Sequence, residues 1–379
     1  MSVKKFDIAV IGGGPSGSAA AMLLCEHGYS VALIEKKTFP REVLCGEFIS
    51  KEVIEFLKAN LLYNEFLKLD PNPISLFRFI GSIGIDVSSS LDFTGYGIKR
   101  SRLDNFLLSK AKERGAEIFQ PAEVKDLSRQ DNGYLVTLKS AIEEELKIHA
   151  TIIIAAYGKQ NILDKLSGRD FYAEKSLLNG IKFHIERSMF KNFNPAEIII
   201  LDGPGIYLGL NAVDTNIVTL CFLERRSNLH YSPKERLLLL SRENKVFESL
   251  INKEFFDRLD NLPVYGTGNI YFGKKDIVKD GIFYIGDSAG VIAPLAGDGI
   301  GMAVQSASLI SEILMRNKLQ VEISEIEYRK EWRTMFLRRL YVAGLIQKIV
   351  LNNSIKNIGL KLVSIYPGLL TNIIKFTRG

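Results

Sequence analysis

The sequence predicts an α/β fold with an inserted, mostly antiparallel sheet and a C-terminal helical region. Three observations predict it. The stretch "KFDIAVIGGGPSGSAAAMLLCEHGYSVALIEKK" reads as strand, turn, helix, strand. From Leu178 to Leu223 apolar and polar residues alternate, as in "EIIILDGPGIYLGLNAVDTNIVTLCFLE", which is the period of a half-buried strand. From Ile300 onward the apolar spacing is helical.

Phe6 to Ile11 is a short apolar run, suited to a parallel strand buried on both faces. The next helix carries Ala19, Ala20 and Ala21 on its inner side, Gly28 ends it, and Tyr29 to Ile34 is the second strand. At about thirty residues the unit has the size of a Rossmann-like βαβ half. Ser50 starts another helix, and residues 75–98 read as short strands. In "SRLDNFLLSKAKERG" Ser101 and Asp104 have the spacing of a capping box, and Gly115 stops the helix. Strands are expected at 116–119, 123–128, 133–139 and 145–149, followed by a separate buried strand in "ATIIIAAYG". Ser232 to Leu259 is expected to be helical, "GIFYIGDSAG" returns to a buried strand, and Ile300 to Asn317 is a long helix.

A chain of 379 residues is long enough for more than one core. We expect a discontinuous nucleotide-binding domain from 1–74, 96–178 and 268–318. A substrate-binding sheet domain takes 75–95 and 179–267, and a helical cap takes 319–379. Three widely spaced cysteines and four histidines make no metal-ligand pattern. The thiols point to a reduced, cytoplasmic protein. The N-terminus runs straight into a strand, so no signal peptide is expected, and no apolar run is long enough to span a membrane. Nothing points to a nucleic-acid partner.

Gly12, Gly14 and Gly17, with Pro15 and Ser16 between them, form G-x-G-x-x-G after a strand and at the start of a helix. The first glycine makes the turn, the second admits a pyrophosphate, and the third lets helix and strand pack closely. The helix N-terminus offers free N–H groups to phosphate. Glu35, at the end of the second strand, can bind two ribose hydroxyls. A second motif separates the possible dinucleotides. "GIFYIGDSAGVIAPLAGDGIGMAVQSA" gives Gly286 and Asp287 at a strand end, then Pro294, Gly297, Gly299, Ile300 and Gly301 at a helix start. The Asp can hold a ribityl hydroxyl. The glycine-rich helix start can hold the edge of a flavin where negative charge collects on reduction. A nicotinamide dehydrogenase needs no such second site, so FAD is the expected cofactor.

With these motifs the sequence resembles the flavoprotein group of aromatic hydroxylases, flavin halogenases and geranylgeranyl reductases over roughly residues 5–310. The fold that the resemblance implies is that of p-hydroxybenzoate hydroxylase. The geranylgeranyl-reductase-like branch matches best, because it carries a Cys-Gly motif in the loop after the ribose-binding acid. Here that loop is "FPREVLCGEFIS", with Cys45 and Gly46. Running from Glu35 toward the flavin, it places Lys36 and Arg41 along the cofactor and Cys45-Gly46-Glu47 near the ring. Cys45 is then both a cofactor contact and the candidate catalytic proton donor. Arg102 falls where the group has an Arg near the cofactor. Cys25 and Cys221 read as core.

Three reactions follow from the resemblance. Reduction of a carbon–carbon double bond in an apolar small molecule, by hydride from flavin N5, is the leading one. Hydroxylation of an aromatic or polyketide-like substrate through a C4a-hydroperoxide is the alternative. Halogenation is disfavoured, because that group carries G-W-x-W-x-I-P and this chain has one Trp, Trp332. The reductases' Y-x-W-x-F-P segment becomes Tyr207-Leu-Gly-Leu-Asn211, without the Trp and Pro. The hydroxylases' D-G motif becomes "AAYGKQ", with Tyr157 for the acid. A non-catalytic flavin or electron-carrier protein is the class-level alternative. No second nucleotide unit is visible, so NAD(P)H visits transiently or a protein donates electrons.

Residues 329–379 hold ten Lys or Arg and one acid, a local +9 in a chain of +6. Two readings stand: a docked helical cap with a solvated basic face, or peripheral contact of the basic helices with the inner face of a membrane.

Overall fold

The computed structural model describes residues 3–81, 84–140, 145–159, 163–164, 167–169, 178–225, 231–268 and 270–352. The helical expectation for 353–379, with Lys356 and Lys361, lies outside the described residues.

β1 (Lys4–Ile11) leads through the glycine turn into α1 (Pro15–Glu26) and β2 (Val31–Ile34). β3 (Phe48–Ile49), α2 (Lys51–Ala59) and α3 (Tyr63–Leu67) precede the pair β4 (Asn72–Ile80) and β5 (Asp86–Gly97). Then come α4 (Arg100–Glu113), β6 (Glu117–Phe119), β7 (Ala122–Gln130), β8 (Gly133–Ser140) and β9 (Leu146–Ala155). The inserted strands are β10 (Leu178–Glu186), β11 (Glu197–Gly203), β12 (Ile206–Ala212) and β13 (Ile217–Arg225). α5 (Pro233–Glu243), α6 (Lys245–Leu250), α7 (Phe255–Leu259) and β14 (Tyr265–Thr267) follow. β15 (Gly273–Lys274), β16 (Val278–Lys279), β17 (Ile282–Tyr284) and β18 (Gly290–Val291) lead to α8 (Gly299–Arg316) and α9 (Val321–Val350).

The first sheet runs β16-β17-β9-β1-β2-β6, with β7 and β8 joined to it through β9. β17, β9, β1, β2 and β6 are parallel. Ile11 is in register with Ile34 and with Ala155, and Ala155 with Tyr284. Four loops therefore leave the same carboxyl edge, the place where open α/β sheets bind ligands. They begin at Gly12, Glu35, Ala156 and Ile285. The second sheet runs β14-β10-β13-β12-β11-β4-β5-β3 and is antiparallel except where β11 meets β4. It takes in Phe48–Ile49 from the cofactor side of the chain.

Three expectations about elements change. The strands expected at 145–149 and after 150 are one strand, β9; its first half pairs with β8 and its second half with β17. The helix expected over 232–259 is three helices. Asn244 breaks it by turning extended, and its side chain caps α6 at the amides of Val246 and Phe247, both 3.1 Å away. Ser232 and Glu235 make a reciprocal capping box at the start of α5. Ser101 and Asp104 do not make the expected one. α4 begins at Arg100 without a side-chain cap, and the Asp104 carboxylate is taken by Arg100 instead, at 2.7 and 2.9 Å.

α8 packs along α1, where Ala19, Ala20 and Ala21 are fully buried. α9 buries Tyr328, Trp332, Phe336, Leu340, Ala343 and Gln347, a helical stripe against the rest of the protein. Its outer face exposes Ile326, Tyr341 and Leu345. Among the described residues no helix is long and apolar enough to cross a membrane.

Candidate active site

The glycine turn is dictated by close packing. A Cβ on Gly12, whose φ is +111°, would lie 2.4 Å from the Ala156 carbonyl oxygen, and one on Gly17 would lie 1.8 Å from that of Gly12. No side chain that carries a Cβ fits either position. Gly14 faces open space, with only the Arg41 guanidinium at 3.9 Å. α1 starts at Pro15 with no side-chain cap, so no capping side chain claims the free amides of its first turn. Glu35 is buried. Its carboxylate accepts from the Gly13 and Lys37 amides, each at 2.8 Å, which orients it at the end of β2.

One continuous cavity of about 880 Å³ joins this turn to the inserted sheet. Gly12, Gly14, Pro15, Ser16, Glu35 and Lys36 line one part of it, and Arg41, Cys45 and Gly46 the next. Asp287, Pro294, Gly297, Gly299 and Ile300 line the side formed by the second motif. Gly17, Gly286 and Gly301 stand behind the wall. A Cβ on Gly286 would meet the Ser16 hydroxyl at 2.7 Å, and one on Gly301 would meet the Asp298 carboxylate at 2.1 Å. α8, like α1, begins without a side-chain cap.

Arg102 is a correction. It is exposed and lies off the cavity, while Arg100 lines it. Two residues on a helix are about 200° apart, and α4 starts at Arg100, two residues earlier than a Ser101 cap implied. Arg100 is bound by Asp104 and lies beside the Cys45 sulfur. Burial opposes its charge, but Asp104 and Cys45 outweigh burial and hold its pKa above the ordinary value. Arg41 also approaches fully buried Asp104, at 3.5 Å, and Glu35, at 3.9 Å.

The Cys45 sulfur accepts from the Glu47 amide at 3.3 Å. Glu47 is fully buried and meets Lys182 at 2.9 Å and His184 at 2.6 Å. Burial pushes its carboxyl up, but the His184 hydrogen bond and the Lys182 ammonium overcome this and bring its pKa down to about 2. Cys221, read as core, lines the cavity instead; burial, then Cys45, pushes its thiol up to about 12. Cys25, on α1, is pushed up to about 11 by burial. Lys182, His184 and Arg100 escaped the sequence reading, because their contacts with Glu47 span more than fifty residues of chain. The only local signal was Glu47 itself, next to Cys45-Gly46.

The far wall is apolar. Tyr207, Leu223 and Ile270 are buried there with Leu351, and Leu44 and Leu295 pack against them. The Tyr207 hydroxyl donates to Gln347 of α9 at 3.3 Å, and that same amide oxygen accepts from the Leu295 amide at 3.2 Å. Asn211 also lines the cavity, and its buried Nδ2 has no hydrogen-bond partner among the described residues. Such a donor awaits a polar atom of a ligand. Two helix starts without side-chain caps, an oriented Glu35, an open Gly14 and this donor fit an extended flavin dinucleotide.

The FAD binding domain family matches residues 5–206. The chain belongs to that family. This FAD-dependent oxidoreductase is 27% identical to digeranylgeranylglycerophospholipid reductase 2 of Methanosphaera stadtmanae, over 79% of its own chain and 75% of the relative. Among solved structures it resembles a flavin-dependent brominase, with a TM-score of 0.79 at 17% identity, over 99% of this chain and 93% of that one. A geranylgeranyl bacteriochlorophyll reductase-like protein from Thermoplasma acidophilum gives 0.73 at 19% identity, over 99% and 100%. These structural likenesses speak to the fold. In the FAD-dependent oxidoreductase, Gly12 to Ser16, Glu35 and Arg41 would hold the dinucleotide, and Asp287 with the start of α8 would hold the flavin end.

Proposed function

We propose that the protein reduces a carbon–carbon double bond of an apolar, prenyl-like small molecule. One observation carries the reading: the Cys45 thiol lines the cofactor cavity that also contains the apolar wall of Leu44, Tyr207, Leu223, Ile270 and Leu295. Such a reduction needs hydride at one carbon and a proton at the other. Bound FAD, once reduced, would supply the hydride. Cys45 gives up the proton. Its thiolate is then balanced by the neighbouring Arg100 guanidinium and takes a new proton from water. The apolar wall receives the hydrocarbon and keeps water from the reacting carbons. NAD(P)H visiting the open cavity, or a protein donor, restores the reduced cofactor.

The names of the similar digeranylgeranylglycerophospholipid reductases support a prenyl lipid. The segment from Tyr207 to Asn211 lacks the Trp and Pro of the reductases' aromatic motif, so the proposal is for an apolar alkene as a class. The position of the hydroxylases' acid is taken by Tyr157, whose hydroxyl donates to buried Asp164 at 2.7 Å. Trp332 is buried under Gly290 and lies off the cavity, which weighs against halogenation.

The test uses FAD-loaded protein, reduced with dithionite without oxygen and given digeranylgeranylglycerophosphate. A product heavier by two hydrogens per reduced bond is expected. A product that gains oxygen, and only in air, would replace this reading with hydroxylation. A flavin that stays reduced with every alkene tried would leave an electron carrier.

A further inference from the structure

We infer that Glu47 is a positioning residue whose carboxylate clamps the Cys45 loop to the inserted sheet and to α4. Glu47 has a left-handed backbone, with φ +61°. That region disfavours any residue with a Cβ, and glycine adopts it freely. A glycine stands next door at Gly46, outside the positive-φ region. The chain thus puts the unfavourable conformation on the residue that carries a carboxylate.

Four donors hold it there. Oε1 accepts from the Arg100 amide and from the Lys182 ammonium, each at 2.9 Å. Oε2 accepts from the Thr219 hydroxyl and faces His184 Nε2 at 2.6 Å. The Glu47 carbonyl accepts from the Ile98 amide at 3.1 Å, and its own amide donates to Cys45 Sγ. One residue therefore joins α4, β10 and β13 to the thiol.

The other end of the loop is tied to the same point. Lys182, fully buried, also donates to Glu42 at 2.7 Å, and Ser101 donates to the second Glu42 oxygen at 2.8 Å. Between Glu42 and Glu47, residues Val43 to Gly46 all line the cavity. Glu42, Glu47 and His184 approach within 4.8 Å of one another, the spacing of a cation site. The Lys182 ammonium already bridges the two carboxylates, so the group reads as an ion-pair latch. The latch, made by protein alone, fixes where the Cys45 sulfur stands.

The experiment compares wild type with Glu47→Gln, which keeps the shape, and Glu47→Gly, which also relieves the backbone. FAD-loaded protein is treated with iodoacetamide, and Cys45 modification is followed by mass spectrometry against Cys25 as internal reference. Cys45 is expected to react roughly fivefold faster or more in both variants as the loop opens. With digeranylgeranylglycerophosphate and dithionite, kcat is expected to fall roughly tenfold or more at unchanged KM. If Glu47→Gln does not fold, Glu47→Gln/Lys182→Met, which removes both buried charges, carries the same measurements. A merely structural pair would regain wild-type stability, protection and rate in that double variant, and this result would overturn the clamp. So would wild-type alkylation in Glu47→Gln. The kcat effect rests on the proposed reaction and the alkylation effect does not: full activity in Cys45→Ser would sink the reaction while leaving the clamp standing.

Discussion

The Arg339 guanidinium on α9 pairs with the Asp298 carboxylate at the head of α8. Asp298 is fully buried and also accepts from the Ser50 hydroxyl at 3.0 Å. It stands between Gly297 and Gly299, which line the cofactor cavity. The far C-terminal helix thus braces the loop that would hold the flavin end. Removing one partner of a buried pair strands the other charge, at a cost of about 3–5 kcal/mol. Arg339→Met is therefore expected to lower Tm and to speed FAD release, measured by thermal unfolding and by the flavin fluorescence that appears on dilution. Wild-type values for both would refute the brace.

Glu35 and Asp287 line different parts of the cavity and would hold opposite parts of the proposed cofactor. Glu35→Ala and Asp287→Ala are each expected to purify with less flavin than wild type, measured from the visible absorbance per chain. Undiminished yellow colour in both would remove them from the site.

Cys45→Ser is expected to slow alkene reduction by more than roughly tenfold, the scale of a lost proton donor, with FAD content unchanged. Cys25→Ser is the control, since that thiol sits on α1 away from the cavity. Equal rates in the two variants would return Cys45 to a structural role.

Glu47 also sets an acid limit. Its folded pKa of about 2 lies below the ordinary 4.5. A depressed carboxylate stabilises the fold fully above the unfolded pKa and loses that contribution as pH falls through the folded one. The window is therefore from about pH 4.5 down to about 2, and the loss is on the order of 3 kcal/mol. Urea midpoints of wild type should fall more steeply than those of Glu47→Gln as pH drops from about 4.5 toward 2. Parallel curves would show that the carboxylate is not held as described.

The basic C-terminal stretch is proposed to touch anionic lipid. Each surface Lys or Arg adds roughly 1 kcal/mol near such a surface. Co-sedimentation with anionic vesicles at low salt is expected, with less on neutral ones. α9 is packed down through Leu351, so the informative truncation removes 353–379. Equal, negligible sedimentation with both vesicle types would leave a solvated cap.

The nucleotide motifs were legible because their chemistry is local. Gly12 to Gly17, Glu35 and the Gly286–Gly301 loop each sit where a strand meets a helix, and the parallel sheet brings such ends to one edge. Arg102 misled because the resemblance places an Arg in this stretch without fixing which of Arg100 and Arg102 faces the cavity; α4 turns Arg100 to it. The Ser101 and Asp104 spacing mimics a cap, while tertiary contacts claim Asp104 for Arg100 and Arg41. Cys221 misled because alternation says that a strand has two faces, not which face meets a cavity. The Glu47 latch was illegible for the same reason. Lys182, His184 and Thr219 reach it only once the second sheet has been assembled, and no spacing within the chain records that meeting.

Gln347 bonds both to Tyr207 on the inserted sheet and to Leu295 beside the second motif. In synthesis order the glycine turn at Gly12 precedes Gln347 by 335 residues (347 − 12). The nascent chain therefore carries a finished first turn long before the pocket around it can close. Until α9 has been made, the hollow has its apolar wall open to water, and transiently exposed apolar surface of that kind is prone to aggregate.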